Sequence, residues 1–172
     1  MGNLLRKSHL VGALAAAAIA VTALPGTASA ASTTGSISVF GNSKCVDVRG
    51  GDTANGTPVQ IHTCNGTYSQ WWTATDQPDG TGITLSALGK CLDVASSGTT
   101  DGTRVQLWDC NGTNAQRWVR YMGDVLINPQ SNKCLDVPGG VAEDGNQLQI
   151  YTCNWTASQQ WSFSPPRIPH TG

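Results

Sequence analysis

Beyond residue 30 the apolar positions fall in short alternating runs, and no stretch carries the 3.6-residue stripe of a long helix. In Val59-Gln60-Ile61-His62 the two aliphatic side chains share one face of a strand, and Gln60 and His62 share the other. Val105-Gln106-Leu107-Trp108 and Leu148-Gln149-Ile150-Tyr151 keep the same order. In Cys45-Val46-Asp47-Val48 the valines face together and Asp47 lies opposite. Short β-branched runs broken by Gly, Asn and Asp predict an all-β chain. The aliphatic faces form its core, so an Asp, a Gln and a ring-bearing residue are displayed together on the outer face.

That display occurs three times, because the chain is an internal repeat. Lys-Cys-[Val/Leu]-Asp-Val stands at 44–48, 90–94 and 133–137. A second strand ends at Cys64-Asn65, Cys110-Asn111 and Cys153-Asn154, and a Gln-x-Trp closes each unit at 70–72, 116–118 and 159–161. The two cysteines of each unit are 19 residues apart. Six cysteines permit many pairings, but a threefold repeat favours Cys45–Cys64, Cys91–Cys110 and Cys134–Cys153. A loop of that length is worth about 3 kcal/mol per bridge on the chain-entropy account. If the two strands of a unit are neighbours, the disulfide lies on the Asp side and preorganises a shallow pocket. One unit is too short to bury a core. Three around a pseudo-threefold axis form a closed barrel with a hairpin cap, which removes free sheet edges. Trp72, Trp118 and Trp161 recur at a fixed place and are assigned to the core. Trp71 and Trp155 occur in one unit each and are expected at the surface.

The first 30 residues change the picture of where this domain works. Arg6 and Lys7 precede an apolar run from Leu10 to Leu24, and Ala28-Ser29-Ala30 follows. That order is a secretory signal. The run is short against the about 20 residues a membrane span needs. The expected organisation is therefore 1–30 as signal, 31–164 as one domain (repeats near 36–78, 79–122 and 123–164), and 165–172 as a short tail. Secretion to the extracellular space suits a disulfide framework. Zinc ligation would want closely spaced Cys/His pairs, and these cysteines are not so spaced. No metal or cofactor is called for. Removal of residues 1–30 leaves eight basic against eleven acidic side chains without a basic cluster, which argues against nucleic acid or an anionic membrane as partner.

The triplicate Cys-[Val/Leu]-Asp-Val, Val-Gln-[Ile/Leu]-aromatic strand and Gln-x-Trp resemble the ricin B-type lectin domain, also called family 13 carbohydrate-binding modules. The resemblance covers roughly Ser36 to Phe163. It implies a β-trefoil with up to three sites for galactosides, xylan, arabinan or related glycans. It also implies roles. Asp47, Asp93 and Asp136 accept sugar hydroxyls, and His62, Trp108 and Tyr151 fill the stacking slot. Gln60, Gln106 and Gln149 orient the Asp or the sugar. Asn65, Asn111 and Asn154 offer a polar contact, and Gln70, Gln116 and Gln159 support the site.

The chemistry agrees with the resemblance. A carboxylate accepts from two hydroxyls at once, a ring covers the apolar C–H face of a sugar, and an amide both donates and accepts. One departure is that the Asn many relatives carry before the closing Gln is Ser69, Ala115 or Ser158 here. A second is His62, a smaller stacking surface than Trp108 or Tyr151. The second and third sites therefore rank above the first.

The expected function is a secreted, monomeric, non-catalytic binder of glycans or plant-type polysaccharides, acting alone or beside a separate secreted enzyme. Two alternatives stand beside it. A glycosidase needs two carboxylates about one bond, whereas each unit offers one pocket Asp, and Glu143 is the sole Glu. A protein-binding trefoil, such as an inhibitor or a toxin's targeting subunit, would place its activity in one distinctive loop. Neither Asp76–Gly82 nor Gly139–Gly145 stands out. The sequons at Asn55, Asn65, Asn111 and Asn154 are explained by the repeat itself.

Overall fold

The computed structural model describes residues 30–122 and 124–164. The expected signal segment, apart from Ala30, and the tail 165–172 lie outside the described residues. Among the described residues no helix is long and apolar enough to cross a membrane.

Among the described residues twelve short strands follow one another, four per repeat. They are β1 (Ser32–Val39), β2 (Lys44–Val48), β3 (Thr57–Thr63) and β4 (Trp72–Asp76), then β5 (Ile83–Ala87), β6 (Lys90–Val94), β7 (Val105–Trp108) and β8 (Val119–Tyr121). The last four are β9 (Val125–Asn128), β10 (Lys133–Asp136), β11 (Gln149–Tyr151) and β12 (Ser162–Ser164). β1, β4, β5, β8, β9 and β12 form the barrel wall. β1 pairs with β12 and β4, β4 with β5, and β8 with β9. A bridge between Ile83 and Trp118 joins β5 to the start of β8, and Trp161 N donates to Asp124 O beside β9. The wall thus closes without a free edge, which is the arrangement of a β-trefoil.

The other six strands are three antiparallel hairpins, β2–β3, β6–β7 and β10–β11, that cap one end. They meet around the threefold axis through equivalent contacts: Gly56 N to Leu107 O, Gly102 N to Ile150 O, and Gly145 N to Ile61 O. Each repeat leans on the next, so no unit is complete alone.

The aliphatic faces form the core as predicted, but the opposite face is not openly displayed: Asp47, Asp93, Asp136, Gln60 and Gln149 are buried, because the loop before each core Trp folds over them, and Trp108 and Tyr151 are the exposed members. Val46, Val48, Val59, Ile61, Leu92, Leu107, Leu135 and Ile150 are fully buried. Trp72, Trp118 and Trp161 are core residues, and each indole donates to the carbonyl 26 residues earlier, on Val46, Leu92 and Leu135. A Trp buries a large apolar surface, and satisfying its one donor removes the cost of placing it inside. The three disulfides link the cysteines the repeat selects.

Candidate functional site

Antiparallel register brings the candidate residues together. In the first repeat Asp47 stands opposite Gln60, and Cys45 opposite His62. Asp93 faces Gln106 and Asp136 faces Gln149 in the same way. The disulfide therefore lies on the Asp side of each hairpin, as period-two geometry requires. A single helical turn before each core Trp then delivers the third member: Gln70, Gln116 or Gln159.

These residues form a repeated cradle. One oxygen of Asp47 accepts from Gln60 Nε2 at 3.0 Å and the other from Gln70 Nε2 at 3.2 Å. Asp93 accepts from Gln106 at 2.9 Å and Gln116 at 3.0 Å, and Asp136 from Gln149 at 2.8 Å and Gln159 at 3.0 Å. The three carboxylates are only 4–5% exposed. A buried carboxylate needs such partners, and each oxygen keeps a second lone-pair direction for a ligand hydroxyl. The closing glutamines are more committed. Gln159 Nε2 also donates to Thr152 O, and its Oε1 accepts from Asn154 N. Gln70 and Gln116 do the same in their repeats. At 0–2% exposure these three hold the Asp rather than face solvent.

The rim differs from the cradle. Trp108 is 36% exposed and Tyr151 40%. The Asn positions are half committed: Oδ1 of Asn65, Asn111 and Asn154 accepts from the backbone N–H and hydroxyl of the Thr two residues on. The Asn-x-Thr triplets are thus Asx-turns that set the loop, and Nδ2 is the part of each amide left for a ligand. In the third repeat Asp136, Gln149, Tyr151, Asn154 and Ser158 line a hollow of about 410 Å³. Ser158, the residue before the closing Gln, shares a 2.7 Å hydrogen bond with the Thr156 hydroxyl. Burial pushes the Asp136 carboxyl above the ordinary carboxylate range, against the hydrogen bonds from Gln149 and Gln159. A larger hollow, about 880 Å³, runs past Gln77, Ile83 and Arg120 and includes none of the candidate residues.

The first rim is occupied from within. Arg49 Nε donates to Gln60 Oε1 at 2.8 Å, and its terminal nitrogen donates to Gly145 O at 3.1 Å. The matching residues Ala95 and Pro138 have no side-chain donor. His62 Nδ1 lies 3.1 Å from Thr63 O, and Nε2 lies 3.6 Å from Asp144. Arg49 gave no signal in the sequence, because it lies outside the repeated motif.

A set of cross-repeat latches was also missed. Asp144 of the third repeat bonds Lys44 Nζ at 2.6 Å and Thr63 N at 2.7 Å in the first. Asp101 of the second bonds Lys133 Nζ at 2.7 Å and Thr152 N at 2.7 Å in the third. In the remaining interface the acid has changed sides: Asn55 stands in the loop, and Asp109 takes the Thr place. Asn55 Nδ2 donates to Asp109 Oδ2 at 2.7 Å, and Lys90 bonds both. The paired lysines, with their hydrogen bonds, hold all three exposed carboxyls below the usual range. The signal in the sequence is the lysine that opens each motif, Lys44, Lys90 and Lys133, whose partner acid lies far away in the chain.

Three cradled carboxylates, each on a disulfide-tied hairpin of a β-trefoil, define a lectin-type scaffold. The family model for the ricin-type β-trefoil lectin domain matches residues 33–165, and the chain belongs to that family. No curated protein sequence matches the chain significantly. Among solved structures, a designed threefold-symmetric protein, ThreeFoil, is 28% identical over 74% of this chain and 95% of its own, with a TM-score of 0.70. A non-toxic homologue of type II RIPs from Momordica charantia (bitter gourd), solved with α-methyl-D-galactoside, is 27% identical over 80% of this chain, with a TM-score of 0.67. The agglutinin from Abrus precatorius is 25% identical over 78%, also at 0.67. The match spans about half the length of each plant chain, 49% in both.

Proposed function

We propose that the protein is a secreted, non-catalytic, multivalent carbohydrate-binding protein for glycans or polysaccharides containing galactose, xylose or arabinose. Binding falls to the second and third pockets, through Asp93, Gln106, Trp108 and Asn111, and through Asp136, Gln149, Tyr151 and Asn154. Asp47, Gln60, His62 and Asn65 make the first pocket weak or silent. Gln70, Gln116 and Gln159 act through the Asp they hold.

The observation that carries this reading is the buried carboxylate, fixed by two amides and set beside an exposed ring. Such a group costs free energy to bury, and a hydroxyl-rich ligand with an apolar face is what it fits. The galactoside in the bitter-gourd structure makes galactose the first sugar to try. Asp136 is the one carboxylate among the residues lining the third hollow, and glycoside hydrolysis takes two about one bond, which supports binding without hydrolysis. Single pockets of this size bind in the ~mM range, about −4 kcal/mol, and several on one rigid body raise avidity for a polymer.

The test is the double variant Trp108→Ala/Tyr151→Ala, which removes exposed rings only. It is expected to weaken retention on a galactan, xylan or arabinan matrix by at least about tenfold while far-UV circular dichroism is unchanged. Unchanged retention would refute the site assignment. Retention that neither free sugars at concentrations well above mM nor their oligosaccharides compete would show that it does not run through a sugar pocket.

A further inference from the structure

The first pocket keeps the cradle and adds a charge that its sisters lack. Arg49 opens the turn after β2, where the second and third repeats have Ala95 and Pro138. Its guanidinium is anchored at two points, Nε to Gln60 Oε1 at 2.8 Å and a terminal nitrogen to Gly145 O at 3.1 Å. Both anchors are themselves fixed. Gln60 is 5% exposed and donates to Asp47 Oδ1, and Gly145 N donates to Ile61 O. A long cation held this way has already lost much of the freedom that binding a ligand would otherwise remove. Its charge, however, is not answered. Both anchors are uncharged oxygens, and two of the five guanidinium N–H groups are used, so three remain. Asp144, next to Gly145, bonds Lys44 and Thr63 instead. Among the described residues no carboxylate lies within ion-pair distance of Arg49, whereas Lys44, Lys90, Lys133 and Arg117 each have one. Arg49 is also exposed.

Direct contacts place this charge at the pocket. Gln149, the counterpart of Gln60, lines the third hollow, and so do Gly139 and Gly140, which continue the turn that Pro138 opens. Gly50 and Gly51 repeat that turn, with all four glycines at φ +65°. A Cβ on Gly51 would lie 3.2 Å from Ser69 Oγ, so the turn that carries Arg49 closes on the loop before Gln70. Ser158, the counterpart of Ser69, lines the third hollow too. A guanidinium with spare donors beside a hydroxyl-accepting Asp fits a sugar that carries its own carboxylate. The hydroxyls of such a sugar suit Asp47 and its carboxylate suits Arg49, and charge-assisted bonds of that kind are the strong ones. A neutral sugar gives the charge no partner, and His62 offers it little ring face to stack on.

We infer that the first pocket is a site for an acidic sugar, a hexuronic acid unit of a glycan, with Arg49 binding the carboxylate and Asp47 the hydroxyls. The inference rests on the cradle being a glycan site, and it makes the first pocket silent toward neutral sugars only. A polymer that mixes neutral and uronic acid units then engages all three pockets.

The experiment titrates the full domain with methyl galacturonide, methyl glucuronide, methyl galactoside and sodium acetate, followed by NMR residue by residue. Either uronide should shift the Arg49 Nε–H signal and the amides around Gln60, His62 and Asn65, and added salt should weaken the effect. Arg49→Ala places the residue of the second repeat in this turn, so the melting temperature should hold, while uronide affinity at these signals falls about tenfold. Trp108→Ala/Tyr151→Ala should lose galactoside binding and keep uronide binding. Acetate should leave the first pocket still, and equal shifts with acetate would show a bare anion site and overturn the sugar assignment. Uronide shifts confined to the second and third rims, or undiminished uronide affinity in Arg49→Ala, would overturn the acidic-sugar site and leave the neutral-sugar reading standing. No shift at any cradle with any of the three sugars would overturn both.

Discussion

The first and third repeats share a cradle and differ at the rim. In both, a buried Asp accepts from two glutamine amides, and the closing Gln is fully committed inside the loop. In the third, Tyr151 stands exposed over an open hollow with Ser158 and Asn154 on its wall. In the first, Arg49 takes Gln60 Oε1, and His62 sits between Thr63 and Asp144. The cradle is thus kept where the rim is closed. It ties the hairpin to the loop that carries the core Trp, which is a folding role common to all three repeats. The repeats vary at the rim, and the proposed recognition falls there.

The largest effect should come from breaking the cradle in either repeat. Gln70→Ala and Gln159→Ala each leave a buried carboxylate short of a donor and orphan a backbone N–H, at a cost of about 3 kcal/mol. Chemical denaturation should show similar losses for both, and a loss under about 1 kcal/mol for Gln70→Ala would show that the cradle serves binding alone. A smaller effect should come from opening the closed rim. Arg49→Ala/His62→Tyr gives the first repeat the ring of the third and frees Gln60 Oε1. Sugar stoichiometry by calorimetry should rise from two toward three, with an affinity within about tenfold of the other sites, roughly 1.4 kcal/mol. A stoichiometry still at two would show that the rim is not what silences this repeat.

The smallest effect concerns the latches. Asn55→Asp alone adds a second acid beside Lys90, and Asp109→Thr alone removes the acid that Lys90 holds. Together they recreate the order of the other two interfaces. Each single variant should lower the melting temperature slightly, and the double should recover most of it, as coupled neighbours do. Additive losses would mean that Asn55 and Asp109 do not work as one unit.

The features legible in the sequence are those that repeat. Strand parity placed Asp47 with Gln60 and His62, the common spacing chose the disulfides, and the fixed Trp positions marked the core. What the repeat does not share was not legible. Arg49 reads as an ordinary surface cation until the fold sets it against Gln60. Asp144 and Lys44 are far apart in the chain, and only the threefold closure joins them. The exchange of Asn55 with Asp109 looks like a lapse in the repeat rather than a relocated charge. Asn154 was read as a sugar contact, but half of its amide holds a turn.

On the proposed function, binding of neutral sugars resides in the second and third rims and not in the first. The most direct measurement is a titration of the unaltered domain with methyl galactoside and with xylose, followed by amide and indole NMR signals residue by residue. Saturable shifts are expected of the Trp108 indole and of amides around Asn111, Tyr151 and Asn154, with those around His62 and Arg49 still. Shifts of equal size around His62, or no shifts at the second and third rims with any sugar tried, would contradict it.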